Sequence, residues 1–216
     1  MSLNYTSVDK YTLYNLNEVV FRGVGEYDIP VIFPEPWIDG VEFIGFNYAA
    51  SCQNRENKGV HFFLDDYQFD RVWRNWKRYS ELLAQYEAVM TPDFSMFTDW
   101  PKAVQIWNHY RKHFVGAYMQ SLGIRVYPTI CWSDESSYDW CFDGEPEGGC
   151  VAVSSVGTQK NDDDKRLFKK GFDAMMERLQ PETVIFYGEV PDDCKANIVR
   201  IKPFHERFNE ARISGW

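Results

Sequence analysis

Short apolar runs alternate along this chain with longer stretches of helical periodicity. Apolar, β-prone runs occupy residues 41–47, 60–64, 87–90, 124–132, 150–154 and 183–187, with a further candidate at 197–201. Between them, apolar positions recur every three or four residues, the spacing that lines one face of a helix. Residues 67–86 carry Phe69, Val72, Trp73, Trp76, Leu83 and Tyr86 in this way. Residues 101–122 carry Val104, Trp107, Tyr110, Phe114 and Tyr118, and the stretch after Asn161 carries Leu167, Phe168, Gly171, Phe172, Met175 and Leu179. A short terminal helix is predicted over 204–212.

Punctuation supports these elements. Asp65 or Asp66 suits the N-cap of the 67–86 helix, and Asn161 that of the later one, because their side chains accept orphan backbone N–H groups. Asp162, Asp163 and Asp164 then complement the helix dipole. Pro101 fits a first helical turn and Gly123 a helix end. Pro128 removes one ladder hydrogen bond from the fourth run, which predicts a bulge or a sheet edge there.

Strand-helix alternation predicts an α/β fold with a mainly parallel sheet, because two parallel strands need a long crossover. A TIM-barrel-like arrangement is the first expectation. A full eight-unit barrel takes about 250 residues, so 216 predict a short or incomplete one. An open doubly wound sheet is the alternative. The whole of 1–216 reads as one domain, with the alternating core at 41–190 and a strand and helix in 191–216. Residues 1–40 are irregular. Pro30, Pro34 and Pro36 there bracket Val31, Ile32, Phe33 and Trp37, which predicts a lid or plug laid over the core.

Composition narrows the classes. Apolar residues make up 44% and aromatic residues 17%, enough for a packed core with aromatic side chains left over for a pocket or an interface. A net charge of −9 argues against non-specific nucleic-acid binding, which needs a basic surface. Five Cys without paired spacing read as reduced thiols of a cytoplasmic protein. The absence of C-x-x-C removes the usual zinc and iron–sulfur signatures, and no apolar run reaches membrane-spanning length.

In parallel sheets, ligands bind at the carboxyl ends of the strands. Those ends hold the candidates. Asp65, Asp66, Asp93 and Glu189 are the candidate catalytic carboxylates. Asn47, Ser95, Asn108, Arg111, Trp132, Ser133, Glu135, Ser154 and Tyr187 are the candidate ligand-binding residues. Taken singly, Asp65, Asp66 and Asp93 read as helix and turn caps, whereas Glu189 precedes no evident helix. Taken together they can divide acid and base roles or hold a hard cation such as Mg²⁺. His109 and His113 are spaced as zinc ligands but lack the H-E-x-x-H glutamate, so they read as solvated side chains. No triad, P-loop or dinucleotide motif is present.

The runs 63–69 (FLDDYQF), 92–95 (PDFS), 105–108 (QIWN), 110–111 (YR), 116–118 (GAY), 132–135 (WSDE), 141–144 (CFDG) and 156–157 (VG) resemble an uncharacterised family, DUF4417, of bacteria, phages and integrated mobile elements. The resemblance covers about residues 40–190. It implies one domain in a phage or mobile-element setting and brings no mechanism. The functional expectation is therefore an enzyme acting on a small polar ligand (a sugar, nucleoside or nucleotide-like molecule). The alternative is a non-catalytic protein that sequesters a ligand or blocks a host protein.

Overall fold

The computed structural model describes residues 14–16 and 21–203; the helix predicted over 204–212 lies outside them. Its core is a run of parallel strands separated by helices. β1 (Gly23–Val24) and β2 (Ile29–Pro30) form a small antiparallel pair within the segment predicted to be irregular. β3 (Glu42–Gly45), β4 (Lys58–His61), β5 (Ala88–Met90) and β6 (Val126–Tyr127) form a parallel sheet in that order. β7 (Cys150–Ser154), β8 (Thr183–Tyr187) and β9 (Ile198–Ile201) form a second parallel sheet, also in chain order.

The two sheets meet beyond Pro128. Ala152 N–H donates to the Pro128 carbonyl at 2.8 Å, Ile130 N–H donates to Ala152 O at 2.8 Å, and Thr129 bridges Ala152 in parallel. Pro128 therefore interrupts a central strand, not an edge, and shortens regular pairing in β6 to two residues. Strand order follows chain order throughout, with no switch point, so the doubly wound alternative does not describe the sheet. Among the described residues β3 and β9 are not paired, so the strands do not close on each other through backbone hydrogen bonds.

The concave face of this strand series is filled by Phe43, Phe63, Ala88, Met90, Tyr127, Cys150, Ala152, Ile185, Tyr187 and Ile201, which form one buried cluster. Alternation puts the other strand residues outward, against the helices. There Val60 and Val89 join one helix-facing core, and Val151, Val153, Val184 and Phe186 join another.

The predicted 67–86 helix is broken. A 3-10 turn (Asp66–Gln68), α2 (Arg71–Arg74) and α3 (Trp76–Leu83) replace it, with Asn75 between the last two outside helical geometry (φ −133°, ψ 42°). Phe69, Trp73 and Trp76 are all buried, and the break lets these wide side chains enter one core. The opening helical turn α1 (Phe46–Ala49) cuts the first strand short, so Asn47 is helical. α4 (Lys102–Ser121) and α5 (Asp162–Leu179) match expectation. Pro101 sits one residue earlier than predicted, at the N-cap of α4, and Gly123 follows it at φ +77°. Asn161 Oδ1 accepts the Asp164 N–H at 2.9 Å.

The 29–37 segment packs on the strands. Cys150 N–H, at the start of β7, donates to Glu35 O at 2.8 Å, the Tyr127 hydroxyl donates to Pro36 O at 3.1 Å, and Trp37 stacks on Phe43. Phe33, predicted to pack inward, is 66% exposed.

Candidate functional site

The sequence points to the carboxyl ends of the strands. A cavity of about 340 Å³ lies there, lined by Phe63, Leu64, Asp65, Gln68, Asp93, Ser154, Val156 and Tyr187. Leu64, Gln68 and Tyr187 are shared with a neighbouring cavity of about 610 Å³ near the unpaired edges of β3 and β9, whose walls include Phe43, Asn47, Tyr48, His61 and Lys202. The smaller cavity is the more polar in its side chains. The larger is the more apolar.

Of the candidate catalytic acids, Asp65 and Asp93 reach this mouth. Asp65 stands at the N-cap of the 3-10 turn, as expected, but its side chain makes no capping hydrogen bond. Asp65 Oδ2 accepts Gln68 Nε2 at 3.3 Å. Asp66 turns to the next strand's loop, where its carboxylate accepts the Ser95 N–H at 3.2 Å and the Ser95 hydroxyl at 2.8 Å. Asn108 and Arg111 secure the same loop from α4. Asn108 Nδ2 donates to Ser95 O at 2.6 Å, Arg111 Nη2 donates to Asn108 Oδ1 at 2.6 Å, and the Arg111 guanidinium covers Phe94 and pairs with Asp70 at 3.1 Å. Asp66, Ser95, Asn108 and Arg111 thus hold the Asp93 loop in place.

Asp93 caps no helix. Its Oδ1 accepts the Cys131 thiol at 2.6 Å. Burial raises its pKa from 3.8 to about 6, and Asp66 adds to the rise, while the Cys131 hydrogen bond and the Lys112 ammonium oppose it. A carboxyl that titrates there is poised to exchange protons near neutral pH.

Four candidates lie elsewhere. Trp132 lies on α5, where Gly171 leaves its indole room and Phe168 packs beside it. Glu135 forms an exposed ion pair with Lys170. Ser133 is buried, its N–H donating to Ser137 Oγ at 3.2 Å. The Glu189 carbonyl accepts the Ser155 hydroxyl at 2.6 Å; its side chain is exposed and lines neither cavity.

His109 and His113 are not solvated: they are 1% and 0% exposed. With Glu145 they bring potential metal-ligating atoms within 4.8 Å of one another. A metal does not suit this cluster, because the Lys112 ammonium already sits 2.5 Å from Glu145 Oε1. Sequence reasoning missed Glu145, Lys112, His61, Gln68 and Lys202. The periodicity of α4 offers one signal: Asn108, Lys112 and Gly116 share a face with His109 and His113, and that polar stripe is as buried as the aromatic one.

Fold and mouth together define an α/β protein of parallel strands in chain order with a polar opening at their carboxyl ends. The chain matches the model of a family described as a domain of unknown function (DUF4417) over residues 21–205, and it belongs to that family. It is 38% identical over 202 residues to the Gene 1 protein of Mycobacterium phage L5, covering 92% of this chain and 87% of that one. It is 35% identical over 214 residues to the Gene 1 protein of Mycobacterium phage D29, covering 96% and 77%. No solved structure matches. Among the described residues no helix is long and apolar enough to cross a membrane.

Proposed function

We propose that this phage-related chain is an enzyme acting on a small polar ligand held at the carboxyl ends of its strands, with Asp93 as the proton-transferring group. The observation that carries the reading is Asp93 itself. It lines the polar cavity with Asp65, Ser154 and Tyr187, groups from four separate strand ends, and its pKa lies near 6. Asp65 and Ser154 supply hydrogen-bonding groups for hydroxyls or amines, while Phe63 and Tyr187 offer ring faces. A nucleoside, nucleotide-like molecule or sugar fits that chemistry, in a cytoplasmic setting. Asp65 and Asp93 also supply the oxygen ligands that a largely hydrated Mg²⁺ takes.

The test is a calorimetric screen of nucleosides, nucleoside monophosphates, pentoses and hexoses, with and without MgCl₂, against the wild type and Asp93→Asn. Binding by one class, followed by product formation that Asp93→Asn abolishes, supports the reading. Product formation that survives Asp93→Asn removes Asp93 from the chemistry. Tyr67 (79% exposed) and Tyr48 (47% exposed, on the wall of the larger cavity) favour a second reading as a sequestering or host-blocking protein. Tight binding without any product would select it.

A further inference from the structure

α4 sends Lys112 and His113 inward to Glu145, on the connection between β6 and β7. Lys112 Nζ donates to Glu145 Oε1 at 2.5 Å and to Thr129 O at 2.7 Å. Burial alone raises the Glu145 pKa, but the Lys112 ammonium and His113 outweigh it and hold the carboxyl below its ordinary range, so Glu145 is an anion. His113 Nε2 faces Glu145 Oε1 at 2.9 Å and its Nδ1 faces the Pro30 carbonyl at 2.8 Å. Both oxygens are acceptors, and the His113 ring sits between them. His109 is neutral: burial, then the charges of His113 and Lys112, drive its pKa far down, and its Nε2–H donates to Asp143 O at 3.0 Å.

The buried group is therefore built on the Lys112–Glu145 ion pair, with His113 against the same carboxylate oxygen. The neighbouring acid is Asp93. Lys112 grips the carbonyl of Thr129, and two residues on, the Cys131 thiol donates to Asp93 Oδ1. We propose that Lys112, anchored by Glu145 and working beside the Cys131 thiol, is a positioning residue for Asp93: it offsets the charge of the carboxylate while the thiol fixes one of its oxygens.

The inference rests on Asp93 being the working acid of the mouth, but its test needs no ligand. The groups facing Asp93 are Cys131 in the segment after β6, Lys112 on α4, and Asp66 and Asp65 after β4. The Asp93 carboxyl is titrated by carbon-13 NMR in protein labelled at aspartate, its signal assigned by its loss in Asp93→Asn. Each variant is first checked for a cooperative melt.

The wild-type midpoint is expected at about 6. Lys112→Met removes the cation and raises the midpoint by about one pH unit. Glu145→Gln frees the ammonium and lowers it. Cys131→Ala raises it, and Cys131→Ser, which keeps a donor, restores it. A midpoint that stays in place or falls in Lys112→Met overturns the proposal. If Lys112→Met does not fold, Glu145→Gln decides, and an unchanged or raised midpoint there overturns it. An unmoved midpoint in Cys131→Ala removes the thiol from the arrangement. A calorimetric screen without a binder would sink the proposed function, while the titration would still decide the role of Lys112.

Discussion

Phe63 and Tyr187 stack with ring centroids 4.9 Å apart and planes 24° from parallel. Phe63 follows β4 and Tyr187 ends β8, four strands away in the series. Neighbouring strands lie about 4.8 Å apart, so a flat sheet would hold these positions about 19 Å apart. The stacking shows that the strand series curls until its early and late members touch. The same curl brings Asp65, Asp93 and Ser154 around one cavity.

Asp93 makes stability depend on pH in a defined direction. Its folded pKa of about 6 exceeds the ordinary 3.8. Its contribution is then fully present below about pH 3.8 and is lost as pH rises through about 6, because the folded state binds this proton more tightly. The loss is at most about 3 kcal/mol. Asp93→Asn carries no charge, so it should match the wild type near pH 4 and exceed it in stability at pH 8. Urea denaturation at both pH values checks this. Stability curves that run parallel from pH 4 to 8 would show that Asp93 has an ordinary pKa.

Breaking the Lys112–Glu145 pair from one side leaves a charge buried without its partner. Lys112 is 3% exposed and Glu145 8%. Lys112→Met should cost about 3–5 kcal/mol. The double variant Lys112→Met/Glu145→Gln should recover part of that loss, because no unpaired carboxylate remains. Chemical denaturation of the single and double variants measures the coupling; strict additivity would mean that the pair does not interact.

Gly171 on α5 is where Trp132 packs. A Cβ built there would lie 2.1 Å from the Trp132 Nε1. Gly171→Ala should therefore destabilise by about 1–3 kcal/mol through overpacking, despite alanine's better helix propensity. A thermal melt checks the sign. A gain in stability would show that the indole moves aside freely.

All five Cys are free in the structure, and Cys141, Cys150 and Cys194 are buried. Burial raises the Cys141 and Cys150 thiols to about 12, so they should react slowly in the folded protein. Thiol titration under non-reducing conditions should count five after unfolding. A count of three or one would reveal a disulfide.

The sequence by itself determined the elements and their order. Apolar runs at 150–154 and 183–187 became β7 and β8 with the same bounds, and Asn161, Gly123 and Pro101 mark helix ends, because strand burial and capping are local properties of a few adjacent residues. It also determined that polar residues gather at the strand ends, and the eight motif runs marked the family. Tertiary structure decided which of those residues share the mouth. Trp132 and Glu135 look like Asp93 in sequence, each following a strand, yet Gly171 and Lys170 draw them to α5. Asp66 reads as a cap, yet Ser95, from another loop, takes its carboxylate. Glu145 carries no local signal, since its charge is made tolerable only by Lys112 and His113, more than thirty residues away. Partners of that kind are fixed by how the strands curl and the helices dock, and a buried charge survives only where such partners arrive.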